Sequence, residues 1–171
     1  MAHGPAALRE AQQLERLLEI GRNLSSNLDL PSLLGSIIAV AAEITGSEGA
    51  SILLYDPAAR LLRFEAIPPN QNPALKKISV PVDSSVAGWV FSSASPLIIN
   101  DAGSDARIYR EVDRQIRFDT RSILGVPLIV KQEPIGVLEA VNKLAGQDYT
   151  EPDQVALETL AAQAAIAIEN A

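Results

Sequence analysis

The chain has 171 residues, 47% of them apolar, and carries 21 acidic against 14 basic side chains for a formal charge of −7. That length supports one well-buried domain, and the acidic balance argues against nucleic acid or anionic membrane as the main partner, since both rest on basic patches. There is no cysteine, and the single histidine is His3, which excludes disulfides, thiolate nucleophiles and zinc–thiolate sites and leaves no imidazole inside the fold for a metal, a haem or a Ser-His-Asp triad.

Residues 1–5 read as disordered or as a cloning remnant, and 6–171 as one domain. Residues 6–28 are rich in helix formers. Within them Leu14, Leu17, Gly21, Leu24 and Leu28 recur at coiled-coil spacing, which is either a seam for a second helix or the apolar side of a helix packed on its own domain. Asp29 is placed to cap a second helix, with Pro31 near its first turn and Gly46 just past its end. Leu33, Leu34, Ile37, Ile38, Ala41 and Ile44 form its buried stripe.

The period then changes to that of strands. Residues 50–55 and 61–67 read as a hairpin about Asp56-Pro57, and 68–73, with three prolines and three amides, as a loop. Residues 78–82 are a strand near an edge. Ser84 or Ser85 caps a short helix carrying Val86, Trp89 and Val90, and Trp89 reads as core. A short strand at 97–100 precedes a helix predicted over 104–118, with Ile108, Val112 and Ile116 inward and Arg107, Arg110, Arg114 and Arg117 on a different side. That side is either an ordinary solvated face or one that meets a phosphate or another acidic partner. Residues 122–130 and 135–143 are strands joined by Lys131-Gln132-Glu133-Pro134, and 151–171 is an Ala-rich helix. The fold class is therefore α+β: a mostly antiparallel sheet of five to six strands, with terminal helices on one face and short helices and loops over a pocket on the other.

Four blocks identify a resemblance. Val86-Ala87-Gly88-Trp89-Val90, Pro96 to Asp101, Thr120 to Leu128 and Ile135 to Lys143 resemble successive blocks of GAF domains, in that family's order and spacing, and Ala167 to Ala171 extends the match. The resemblance implies a sensory or regulatory domain of a larger bacterial-type signalling protein, cytoplasmic and without catalytic residues. Such a domain binds a small molecule or relays a conformational signal to an effector domain. The alternative is a dimerisation module with no ligand, and a further alternative is a cyclic-nucleotide site. Cyclic-nucleotide-binding members carry a signature that appears here as Asn142-Lys143, Tyr149 and Asp153-Gln154, with Tyr for Phe and Gln for Glu. In similar domains the Lys and Asp are bridged, tying the last strand to the C-terminal helix. Bilin attachment and the family's sulfoxide reductases need a cysteine, and haem a histidine, so no cofactor is expected.

The pocket is expected between residues 101–120 and the strands at 122–126 and 137–141, with Ser84, Asp101, Tyr109, Thr120, Ser122 and Glu139 as its polar candidates. Glu139 either meets a ligand or bonds a nearby hydroxyl or amide, and whether it shares a face with Ser122 depends on strand register. The amides after Ser84-Ser85 offer an anion site or are simply capped by serine. A homodimer is expected through the terminal helices, 6–28 and 152–171, using Leu14, Leu17, Leu24 and Leu28 on the first and Leu157, Ala161, Ala164 and Ile168 on the second. Neither nucleic acid nor membrane insertion is expected.

Overall fold

Asp29 opens the first helix, α1 (Leu30–Thr45), its side chain accepting the Ser32 amide at 3.2 Å. Gly46 closes it at a φ of 60°, donating its own amide back to the last turn; that left-handed conformation favours glycine. The computed structural model describes residues 29–69, 71, 73–109, 111, 114 and 119–171, with Gln12 and Glu15. The seam at Leu14, Leu17, Leu24 and Leu28 lies outside the described residues.

The strands are β1 (Ser47–Asp56), β2 (Leu61–Ala66), β3 (Ser79–Pro81), β4 (Leu97–Ile99), β5 (Ile123–Val130) and β6 (Glu133–Lys143). They form one sheet in the order β3-β2-β1-β6-β5-β4, every neighbouring pair antiparallel. Two further helices are α2 (Val86–Ser93) and α3 (Glu151–Glu169). The expected α+β architecture is therefore present.

Alternation along the central strands sorts side chains between two cores. Ile52, Leu124, Val126, Leu138 and Ala140 pack against α1 and α3, which bring Ile37, Leu157 and Leu160 to the same cluster. Leu53, Ile123 and Val137 face the other way, towards Val86 and Val90 of α2 and towards Phe64, Leu75 and Ile108. Each large apolar side chain so buried contributes about 1.5–3 kcal/mol. No helix among the described residues is long and apolar enough to cross a membrane.

Three local expectations are corrected. The β5–β6 turn is only Lys131-Gln132, both at positive φ. Two-residue hairpins need that conformation and usually signal it with Asn or Gly, so β6 starts at Glu133, earlier than its sequence suggests. The helix expected from Ser104 does not begin there. A 3-10 turn spans Ala102–Ser104, and Asp105–Tyr109 is non-helical. The Asp105 carboxylate accepts the Arg107 amide at 2.8 Å and its guanidinium at 2.7 Å, a local bond that competes with helix. Glu111 and Arg114 are helical and paired at 3.4 Å, while Arg110, Val112, Ile116 and Arg117 lie outside the described residues. Trp89 is 38% exposed rather than core, with the Arg107 guanidinium 5.5 Å from its ring. Val86 and Val90 take the buried side of α2.

Candidate functional site

The second face of the sheet is roofed by α2, and two contacts set how closely. Ser85, not Ser84, is the N-cap: its hydroxyl accepts the Gly88 amide at 2.9 Å and donates to the Pro81 carbonyl. A Cβ on Gly88 would lie 2.0 Å from the Val82 carbonyl oxygen, so the helix fits only with glycine at this point. Below it Val90 sits over Gly125, where a Cβ would come within 3.1 Å of the valine methyl.

Beside this contact lies a cavity of about 110 Å³. Its floor is the sheet, through Ser51 and Leu53 of β1, Ile123 of β5 and Glu139 and Val141 of β6. The first turn of α2 forms one wall, Phe64 and Leu75 another, and Ile108, Tyr109 and Thr120 close the side between β4 and β5. Most of that lining is apolar.

Among its polar members, Glu139 is the buried carboxyl. It pairs across the sheet with Ser51 on one side and Gly125 on the other, and it is 8% exposed. No hydrogen bond or ion pair reaches its carboxyl among the described residues. Burial alone pushes its pKa up to about 7, as expected for a carboxyl losing water without gaining a donor. Glu48, at the cavity's edge, is the opposite case. Arg121 and then Asn142 hydrogen-bond it and hold its pKa below the usual carboxylate value.

Of the six polar candidates, the structure brings Tyr109, Thr120 and Glu139 into the cavity. Ser122 is not among them. The register pairs Ile123 with Val141 and Gly125 with Glu139, so Ser122 falls on the helix-covered face, where its hydroxyl accepts the Lys143 amide at 3.0 Å. Ser84 is exposed beside Asp83. Asp101 is exposed too, bonded to Ser104 at 2.9 Å. The sequence reading missed Ser51, Phe64 and Leu75. A lone serine inside the apolar run Ala50-Ser51-Ile52-Leu53 was the available signal for the first, whereas Phe64 and Leu75 look like ordinary core.

The second set of candidates forms a latch on the far side. Asn142, at a φ of 58°, accepts the Arg121 and Ser122 amides at 2.6 and 3.2 Å, and donates to Glu48 at 3.0 Å and to the Asp119 carbonyl at 2.9 Å. Lys143 reaches Asp153 at 2.8 Å, with both side chains largely buried. The same Asp153 oxygen accepts the Thr150 amide at the start of α3. Tyr149 shares a hydrogen bond with Ser47 at 2.7 Å, and Ser47 another with Thr45 at 2.7 Å. Burial foremost raises the Tyr149 pKa, so the phenol stays neutral. Asn100 bonds the Tyr149 backbone through both amide atoms, at 2.8 and 3.3 Å, a clamp the sequence did not reveal.

The expected C-terminal dimer seam faces inward. Leu157, Ala161 and Ala164 are buried in the chain's own core, and Ile168 packs partly against it. Their 3–4 spacing is used up by the sheet and α1. The outward side of α3 carries Val155 and Ile166 instead, 55% and 58% exposed.

An antiparallel sheet with two helices on one face and a short helix over a cavity on the other is the architecture of a regulatory and sensory fold. The chain belongs to the GAF domain family, whose profile matches residues 27–169. It is 28% identical over 176 residues to the dual 3′,5′-cyclic-AMP and -GMP phosphodiesterase 11A of Takifugu rubripes, a match covering 96% of this chain and 19% of that protein. Among solved structures, the GAF domain from the Acinetobacter phosphoenolpyruvate-protein phosphotransferase aligns with a TM-score of 0.78 and 25% identity, covering 93% of this chain and 94% of that one. The free methionine-R-sulfoxide reductase from Neisseria meningitidis, in complex with its substrate, shares the fold with a TM-score of 0.76 at 22% identity, over 99% of this chain and 93% of that one.

Proposed function

We propose that this GAF domain is a non-enzymatic, cytoplasmic sensory module that takes a small molecule into the cavity over β1, β5 and β6 and passes the bound state to an effector domain through α3. The observation that carries this reading is Glu139, a buried carboxyl without a partner among the described residues, in a mostly apolar cavity. A polar group left so in a core is costly, and a ligand is a common reason for keeping it. The relay has a contiguous route. Glu48 borders the cavity and bonds Asn142, and the next residue, Lys143, holds the first turn of α3.

Catalysis is disfavoured by the chain's lack of cysteine and of any histidine beyond His3. The phosphodiesterase relative raises cyclic nucleotides as a candidate. Against them, no Lys, Arg or His occurs among the described lining residues, while two carboxylates do, and a cyclic phosphodiester is an anion. Protein NMR with a metabolite panel that includes cAMP and cGMP tests the reading. Saturable shifts confined to the cavity residues support it, and a panel without any such response rejects it.

A second reading is an interaction module that pairs with a copy of itself. It rests on the outward stripe of α3, where exposed Ala162 lies between Val155 and Ile166. Light scattering across a wide concentration range distinguishes it, since a mass that stays monomeric throughout excludes the pairing.

A further inference from the structure

Resting on the cavity as a ligand site, we infer that its ligand is a compact organic cation, an ammonium group on a small apolar body, with the charge placed on Glu139. Three observations lead there. Glu139 is more than nine-tenths buried, lines the cavity and has no donor among the described residues. Among the described residues, the groups around it offer no compensating charge. From β1 it faces Ser51, from β5 Gly125, from α2 the Ser85–Ala87 turn, and from the β4–β5 connection Tyr109 and Thr120. The other carboxylate at the cavity, Glu48, is already engaged by Arg121 and Asn142. Among the described lining residues, therefore, nothing repays an anion, and an unpaired acceptor waits for a donor.

The walls define the rest of the ligand. Leu53, Phe64, Ile123 and Val141 give it an apolar body. The aromatic rings of Phe64 and Tyr109 are compatible with a cation, whose charge is attracted to ring faces. At about 110 Å³ the space is well under the roughly 300–1,000 Å³ typical of pockets for larger ligands. That favours a body of a few carbon atoms over one bearing a base and a sugar. A neutral alcohol or amide would also donate to Glu139, but it would gain less than a charge-assisted pair in a water-poor site.

The binding of such a cation is coupled to a proton. With the carboxyl pushed up to about 7 by burial, part of the population near neutral pH is protonated, and an ammonium ion selects the ionised form. Uptake near pH 6.5 should therefore expel a fraction of a proton from Glu139.

Three probes of one shape separate the possibilities: 3-methylbutylammonium, 3-methylbutan-1-ol and 3-methylbutanoate, titrated into the full chain by calorimetry and NMR. The expected result is an ammonium bound about tenfold or more tighter than the alcohol, with no detectable binding of the carboxylate. Repeating the ammonium titration near pH 6.5 in buffers of different ionisation enthalpy should reveal proton release. Glu139→Gln, checked for folding by circular dichroism, should lose both the preference and the release while still binding the alcohol. If the alcohol binds as well as the ammonium, or the carboxylate binds better, the cation is wrong while the cavity stands as a ligand site. Should all three probes leave the cavity resonances unmoved, the inference falls, and the metabolite panel then decides the broader reading separately. If Glu139→Gln does not fold, proton release by the wild type near pH 6.5 and its disappearance near pH 9 decide the matter; heats independent of buffer at both values overturn it.

Discussion

Lys143 Nζ lies 2.8 Å from Asp153 Oδ2, the two side chains only 14% and 10% exposed. The pair joins the end of β6 to the first turn of α3, and Asp153 also accepts the Thr150 amide there. An ion pair this shielded differs from a surface bridge worth about 0–1 kcal/mol, because removing one partner strands the other charge. Asp153→Asn should cost about 3 kcal/mol, near the lower end for a broken buried pair. Lys143→Met keeps the aliphatic stem and should cost less. Denaturant unfolding of both single variants and the double variant measures the coupling, expected at about 1 kcal/mol or more. Additive effects of the two substitutions would contradict a shared interaction.

Asn142 combines a left-handed backbone with four side-chain hydrogen bonds. Asparagine tolerates that φ better than most residues. Asn142→Ala loses both advantages, and Asn142→Gly loses only the bonds. Both should be destabilised, by about 2–4 kcal/mol for alanine, with glycine recovering up to about 1 kcal/mol. Thermal melts compare them, and a glycine variant less stable than alanine would show that backbone conformation is not part of the cost.

Glu139 predicts a pH dependence for the ligand-free chain. Its folded pKa stands at about 7 against an ordinary 4.5, so between these values the folded chain holds a proton that the unfolded chain has released. Its contribution to stability is therefore full below about pH 4.5 and is lost as pH rises through about 7. Glu139→Gln should flatten the fall in stability between about pH 5 and 8. At pH 8 it should be more stable than the wild type, by up to roughly 3 kcal/mol. Unfolding curves at several pH values test this. Parallel pH profiles for the two proteins would mean that the carboxyl finds water or a donor.

The two sides of α3 should respond differently to substitution. Leu157 is fully buried, and Leu157→Ala should cost about 2–5 kcal/mol. Ile166 is exposed, and Ile166→Glu should alter stability by under about 0.5 kcal/mol. If α3 pairs with a second copy through that side, the same change should abolish a concentration-dependent rise in mass. A dimer that survives Ile166→Glu would place the contact elsewhere.

Several features were legible in local chemistry. Asp29 and Gly46 bound α1 because a cap and a left-handed terminus are decisions made within a few residues. Strand alternation likewise puts Val137, Glu139 and Val141 on one side of β6 and Leu138 and Ala140 on the other, as the two cores show. Lys143 and Asp153 were paired through the resemblance rather than through any local pattern. In the 105–109 segment local signals conflicted, and the side-chain bonds of Asp105 prevailed over helical spacing there.

What the sequence could not decide is what lies opposite what. Ser122 and Glu139 were both reasonable pocket residues until the register placed Ile123 against Val141. A shift of one residue would have put Ser122 on the cavity face, because strand side chains alternate with a period of two. Likewise, the leucine and alanines of α3 have the spacing of a dimer seam, and nothing local says whether a partner helix or the chain's own sheet will cover them. Local sequence thus determined the caps, the strand alternation and a composition with no cysteine and a single histidine, His3. Tertiary structure alone decided that Ser51, Phe64, Tyr109 and Glu139 share one cavity, because those residues come from three strands and a connection that meet only when the sheet closes its antiparallel register.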